Sequence, residues 1–61
     1  MPFTNDEKLQ AVKRELSYRR RVYAKRVCDG KMTKGHADHQ IALFEEIEAD
    51  YEALAGKERL L

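Results

Sequence analysis

The chain has 61 residues, 38% charged and 43% apolar, with a formal net charge of +1. That length excludes more than one domain. The near-neutral balance excludes a polycation, so any affinity for nucleic acid must rest on local charge. A single cysteine, Cys28, excludes an internal disulfide and fits reducing surroundings.

The first predicted element opens at Thr4-Asn5-Asp6-Glu7, which fits a capping box: the Thr4 hydroxyl accepts from the Glu7 N–H and the Glu7 carboxylate reaches back. Asp6 and Glu7 also suit the positive end of a helix dipole. No proline or glycine follows until Gly30, so the helix is predicted over about 5–28. Leu9, Val12, Leu16, Tyr23 and Val27 recur at three-and-four spacing and make one apolar stripe, flanked by Arg19 and Arg20. Asp29-Gly30 ends this helix, with Gly30 suited to the left-handed conformation just past the cap. Thr33 can cap the next helix. A turn over about 29–33 is short, which predicts antiparallel neighbours.

The second helix is predicted over about 34–55. Gly35 weakens its first turn slightly. Ala37, Ile41, Phe44, Tyr51 and Ala55 form its main stripe, and Leu43, Ile47 and Leu54 widen it. The resulting apolar arc spans roughly 160°, wider than one partner helix covers. Gly56 is read as the point where the chain turns or frays, leaving 56–61 as a tail whose Leu60 and Leu61 dock or hang loose. The expected architecture is all-α, an antiparallel two-helix hairpin. A single hairpin of this size has too small a core to be comfortable alone. A homodimer forming a four-helix bundle, with Leu43, Ile47 and Leu54 at the self-association surface, is the natural remedy.

Charge is divided unequally between the helices. Residues 5–28 carry eight Lys/Arg against three Asp/Glu, and residues 34–55 carry one Lys against six Asp/Glu. The basic stretch Tyr18-Arg19-Arg20-Arg21-Val22-Tyr23-Ala24-Lys25-Arg26 is the centre of this asymmetry. Arg19 and Arg20 are placed near the seam, where Glu45, Glu48 or Glu52 can meet them. Three consecutive arginines sweep about 200° of a helix, so Arg21 must point away. It does so together with Ala11, Arg14, Tyr18, Val22 and Lys25, which make the candidate partner-binding surface. A solvated basic face is the plain alternative, and nucleic acid a second possible ligand.

Other constellations carry less. His36 and His39 are three apart on one helix, with Cys28 and Asp38 near in sequence, but zinc sites need three or four ligands. No metal or cofactor is expected. Glu45, Glu46, Glu48, Asp50 and Glu52 lack the cleft that shifts catalytic carboxylates, and an enzyme is not expected. Cys28 is read as a small apolar filler at the helix end. The longest apolar run, Ile41-Ala42-Leu43-Phe44, is far short of a membrane span. No signal-peptide pattern is visible, and a soluble, cytoplasmic protein with no membrane partner is expected.

Residues 15–51 resemble a recurring type of short phage and prophage protein. The resemblance rests on Glu15-Leu16, on Arg19 to Tyr23, on the Gly30 to Thr33 turn, and on Ala37, Ile41, Glu45, Ile47, Asp50 and Tyr51. Ala24 departs from that pattern, which has proline after the second tyrosine; alanine lets the first helix run on smoothly. The group has no settled function, so the resemblance implies origin in a phage or prophage, and hence the bacterial host's cytoplasm, more than an activity. Small phage proteins of this size often bind a host protein, host defence machinery included.

Overall fold

A computed structural model of the chain describes residues 2–60, with side chains to residue 59. Two helices, α1 (Asn5–Cys28) and α2 (Lys34–Leu60), pack against each other as an antiparallel hairpin. The molecule is a rod with extents of 47 × 17 × 15 Å.

The helix boundaries follow from local chemistry. Thr4 stands outside α1 in an extended conformation, and its Oγ1 accepts from the Glu7 N–H at 3.0 Å. The Glu7 carboxylate accepts in return from the Thr4 N–H at 3.5 Å. Past the far end, Gly30 adopts φ +72°. Its N–H donates to the Val27 carbonyl at 3.1 Å, and the Lys31 N–H donates to the Arg26 carbonyl at 2.8 Å. That pair of bonds is the Schellman arrangement, which satisfies carbonyls the helix leaves unpaired. Thr33 then caps α2 by accepting from the His36 N–H at 3.1 Å.

Two ion pairs between the helices give the register. Lys13 meets Glu52 at 3.7 Å and Arg20 meets Glu45 at 3.0 Å. In that register Leu9 comes within one residue of Ala55 and Val27 within one residue of Ala37. Leu9, Leu16, Ala37 and Ala55 are the buried core, and Leu9 and Leu16 are its large side chains. The small alanines at the two ends of the α2 stripe let the helices approach there, while Phe44, Ile41 and Tyr51 are half-buried between them.

Two sequence expectations are corrected. The second helix does not stop near Ala55: α2 continues through Gly56 to Leu60. The extra turn has a partner on α1: the Asn5 side-chain amide donates to the Glu58 carboxylate at 2.6 Å. Within α2, Arg59 donates to the Ala55 carbonyl at 3.3 Å, and Ala55, just before the turn, is fully buried. Glycine's intrinsic penalty in a helix is only about 1 kcal/mol, so such contacts override it. The Leu60 side chain and Leu61, for which docking was left open, lie outside the described residues. Cys28 is not a filler but exposed: it lies about 100° around the helix from Val27, which already occupies the seam.

The glycines yield a paired prediction. A methyl group at Gly56 or at Gly30 would meet nothing within 4 Å, so backbone conformation alone decides. Gly56→Ala, in helical backbone, is expected to stabilise the fold by about 0.5–1 kcal/mol. Gly30→Ala, forced into the left-handed region, is expected to cost about 1–2 kcal/mol. Thermal melts followed by circular dichroism at one protein concentration would show shifts of opposite sign.

Candidate interaction surfaces

The hairpin has two broad faces and two edges, and side-chain contacts assign residues to each. One broad face carries both interhelical ion pairs, Lys13 with Glu52 and Arg20 with Glu45. Arg20 therefore behaves as its sequence position implied. Arg19 does not reach an acid on α2. Its guanidinium lies on the opposite broad face, 4.4 Å from the centroid of the Phe44 ring. Nε donates to Glu15 at 2.8 Å and Nη1 to the Tyr23 hydroxyl at 2.6 Å. The Tyr23 hydrogen bond, outweighing partial desolvation and helped by Glu15, raises the Arg19 pKa above its ordinary value. Arginine is already fully charged in the physiological range, so this shift brings no pH dependence there.

On the face bearing Arg19 and Phe44, helical periodicity places Val12 and Tyr23 from α1, and Leu43, Ile47, Tyr51 and Leu54 from α2. Leu43 is 45% exposed and Leu54 42% exposed, while Ile47 is half-buried. The three residues singled out for self-association thus share one flank of α2, and Ile47 is the member partly covered by α1.

The outer edge of α1 carries the candidate partner-binding residues. Ala11, Arg14, Tyr18, Arg21 and Lys25 are exposed, and Val22 is half-buried at the margin. Tyr18 is 54% exposed, and the Arg21 guanidinium lies 5.8 Å from its ring centroid. Lys25 pairs with Asp29 at 3.5 Å, whereas Arg14 and Arg21 make no ion pair among the described residues. Two shallow grooves lie at the ends of this edge. The groove of about 460 Å³ near the N-terminus is lined by Phe3, Asp6, Glu7, Lys8, Gln10, Ala11 and Arg14. The other, about 390 Å³ near the turn, is lined by Val22, Lys25, Arg26, Asp29 and Lys31. All six sequence-selected residues therefore fall on one continuous strip, with Tyr18 and Arg21 between the grooves.

No protein-family model, curated protein or solved structure matches the chain. Its surfaces must be read from their own chemistry. Phe3, 59% exposed, is a residue that helical periodicity could not assign, because it precedes the first turn. Its position just before the Thr4 cap was the available signal, since the residue before an N-cap turns back onto the first turn of the helix. With Tyr18, it brackets Ala11 and Arg14 between two aromatics.

The remaining candidates are dispersed. His36, His39 and Asp38 are exposed, and Lys34 pairs with Asp38 at 2.9 Å. Among the described residues no three His, Cys, Asp or Glu side chains converge where they could hold a metal ion. Glu45 and Glu52 are engaged with cations of α1, and Glu48 has no cation partner among the described residues. Among the described residues no helix is long and apolar enough to cross a membrane.

Proposed function

We propose that this chain is a small non-enzymatic interaction protein, encoded by a phage or prophage. In this reading it self-associates through the Leu43, Ile47 and Leu54 flank and binds a host or phage protein through the outer edge of α1. Residues 15–51 supply the case for a phage origin, and with it the bacterial cytoplasm as the place of action. Host defence machinery is the class of target that origin favours.

The observation that carries the binding reading is Tyr18. An aromatic ring more than half exposed stands among Arg14, Arg21 and Lys25, with an arginine guanidinium beside it. Tyrosine and arginine are the side chains enriched where partners bury hot spots, because each combines large area with a polar tip. None of these four residues is used by the hairpin to hold α2. The double variant Tyr18→Ala with Arg21→Glu is therefore expected to keep wild-type helicity and to lose partner capture from host extract at least 100-fold. Undiminished capture would reject this surface.

A second reading is a nucleic-acid-binding dimer. What favours it is that Arg14 and Arg21 make no ion pair among the described residues. Acidic α2 weakens the field that a phosphate backbone would feel. Gel shifts at low and moderate salt separate the two readings, because phosphate contacts give steeply salt-dependent binding. A shift at low salt that vanishes at moderate salt would favour nucleic acid. No shift at low salt would remove it.

A further inference from the structure

The hairpin is less closed than its mass requires. It exposes 4755 Å², whereas a compact monomer of 7.1 kDa exposes about 4,100 Å². Its radius of gyration is 14.1 Å against about 10.5 Å for a compact chain of this length. The excess surface, roughly 650 Å² per chain, approaches the roughly 800 Å² that each partner buries in a stable interface. One broad face holds the apolar flank, while the other is laced with ion pairs. A second copy laid face to face on the apolar side covers Leu43, Ile47 and Leu54 in both chains.

Two such stackings keep two-fold symmetry. With the axis across the helices, α1 lies beside α1 of the partner and the two turns sit at opposite ends. With the axis along the helices, α1 lies beside α2 of the partner and the turns sit at the same end. We propose the second arrangement: a four-helix bundle in which basic and acidic helices alternate and both turns share one end. This inference rests on the self-association reading above and specifies its geometry.

Charge decides between the stackings. On the inner face, α1 presents Lys8, Arg19 and Arg26 along one flank, by helical periodicity. Pairing α1 with α1 sets that cationic row against itself. Pairing it with α2 instead lays the long Lys and Arg stems over apolar Leu43 and Leu54, their heads reaching the acidic margin. Every neighbouring pair of helices in the bundle then has opposite net charge, which disfavours the competing arrangement.

The geometry also fixes the register. An axis parallel to the helices shifts nothing along them, so residues level within one chain are level across the interface. Val12 comes within one residue of Leu54 of the partner subunit, and Val22 level with Leu43 of the partner subunit. Glu15 comes level with Asp50 of the partner subunit, but Glu15 is already held by Arg19 at 2.8 Å. The two outer edges of α1 end on diagonally opposite corners, forming two separate binding strips instead of one continuous basic surface.

Cys28 offers the test: it is exposed, the sole cysteine, and beside the turn. A nitroxide is attached to it and label separations are read by pulsed double electron resonance, with light scattering on the same samples. Turns at one end place the two labels within about 35 Å, given helix spacings near 10 Å. Turns at opposite ends separate them by the length of α1, roughly 40 Å or more with the label linkers. A dimer with the shorter separation is expected. A dimer with the longer one overturns the alternating arrangement and leaves self-association standing. A monomer at every concentration tested overturns both.

Discussion

Leu16→Ala is expected to remove about 2–5 kcal/mol of stability, a loss that only Leu9→Ala should match among the leucines of the hairpin. Leu16 and Leu9 are the two large side chains buried to within 1% of their surface. A small domain holds about 0.05–0.15 kcal/mol per residue, so this chain has only several kcal/mol to lose. Leu16 is enclosed between the two helices, and the larger side chains near it, Tyr51 and Phe44 among them, are half-buried in positions of their own. Loss of both the transferred area and the packing contacts therefore applies in full. Each kcal/mol shifts the melting temperature of a small domain by about 4–8 °C, so a fall of about 8 °C or more is expected. Denaturant titrations at fixed protein concentration should lower the midpoint with little change in slope. Leu54→Ala, on a 42% exposed side chain, supplies the contrast within the hairpin itself. A drop of only 1–2 °C for Leu16→Ala would mean that the seam is not the core.

Local chemistry made the hairpin legible before any coordinates. Thr4, Glu7, Gly30 and Thr33 each act within three or four residues of themselves, so their roles follow from residue type and spacing. Periodicity likewise placed Leu9 and Leu16 in the seam and Ala11, Arg14, Tyr18, Arg21, Val22 and Lys25 on the outer edge, since an unbroken α-helix fixes direction from number alone. What could not be read depends on the other helix. Gly56 looks like a stop until Asn5 gives the next turn something to bind. Arg19 and Arg20 are adjacent and both flank the seam, yet they emerge on opposite broad faces. Only Arg20 faces a carboxylate; Arg19 meets Phe44, because an aromatic occupies that side of α2. Lys13 with Glu52 required the register. Phe3, outside the helix, had no phase at all.

The second large effect concerns association instead of folding. Leu43→Asp together with Leu54→Asp is expected to weaken self-association on the order of 1,000-fold, since four kcal/mol corresponds to roughly that factor. Both side chains are 42–45% exposed in the single hairpin and neither belongs to its buried core. In a two-fold dimer the pair of changes places four carboxylates on the interface. With a little under half of each side chain left to bury, each forfeits about 1 kcal/mol of leucine burial, roughly four in all, and a desolvated, unpaired carboxylate adds to that unless it neutralises. Aspartate also lowers helix propensity, which must be separated from the interface effect. Ala42→Asp with Ala49→Asp is the matched control: both alanines are exposed on α2 and away from the apolar flank. It adds the same charge and a comparable helix penalty, and should leave the association constant within a few-fold. Light scattering or sedimentation across a dilution series then reads the interface directly. If the aspartates on the flank and those on the far side have equal effects, the flank does not hold two copies together. If only the flank pair dissociates the particle, loss of helicity on dilution should follow for that variant at concentrations where the control remains folded. That coupling is what a thin seam implies: two leucines close one hairpin, and in the proposed bundle a second copy buries the remaining apolar surface.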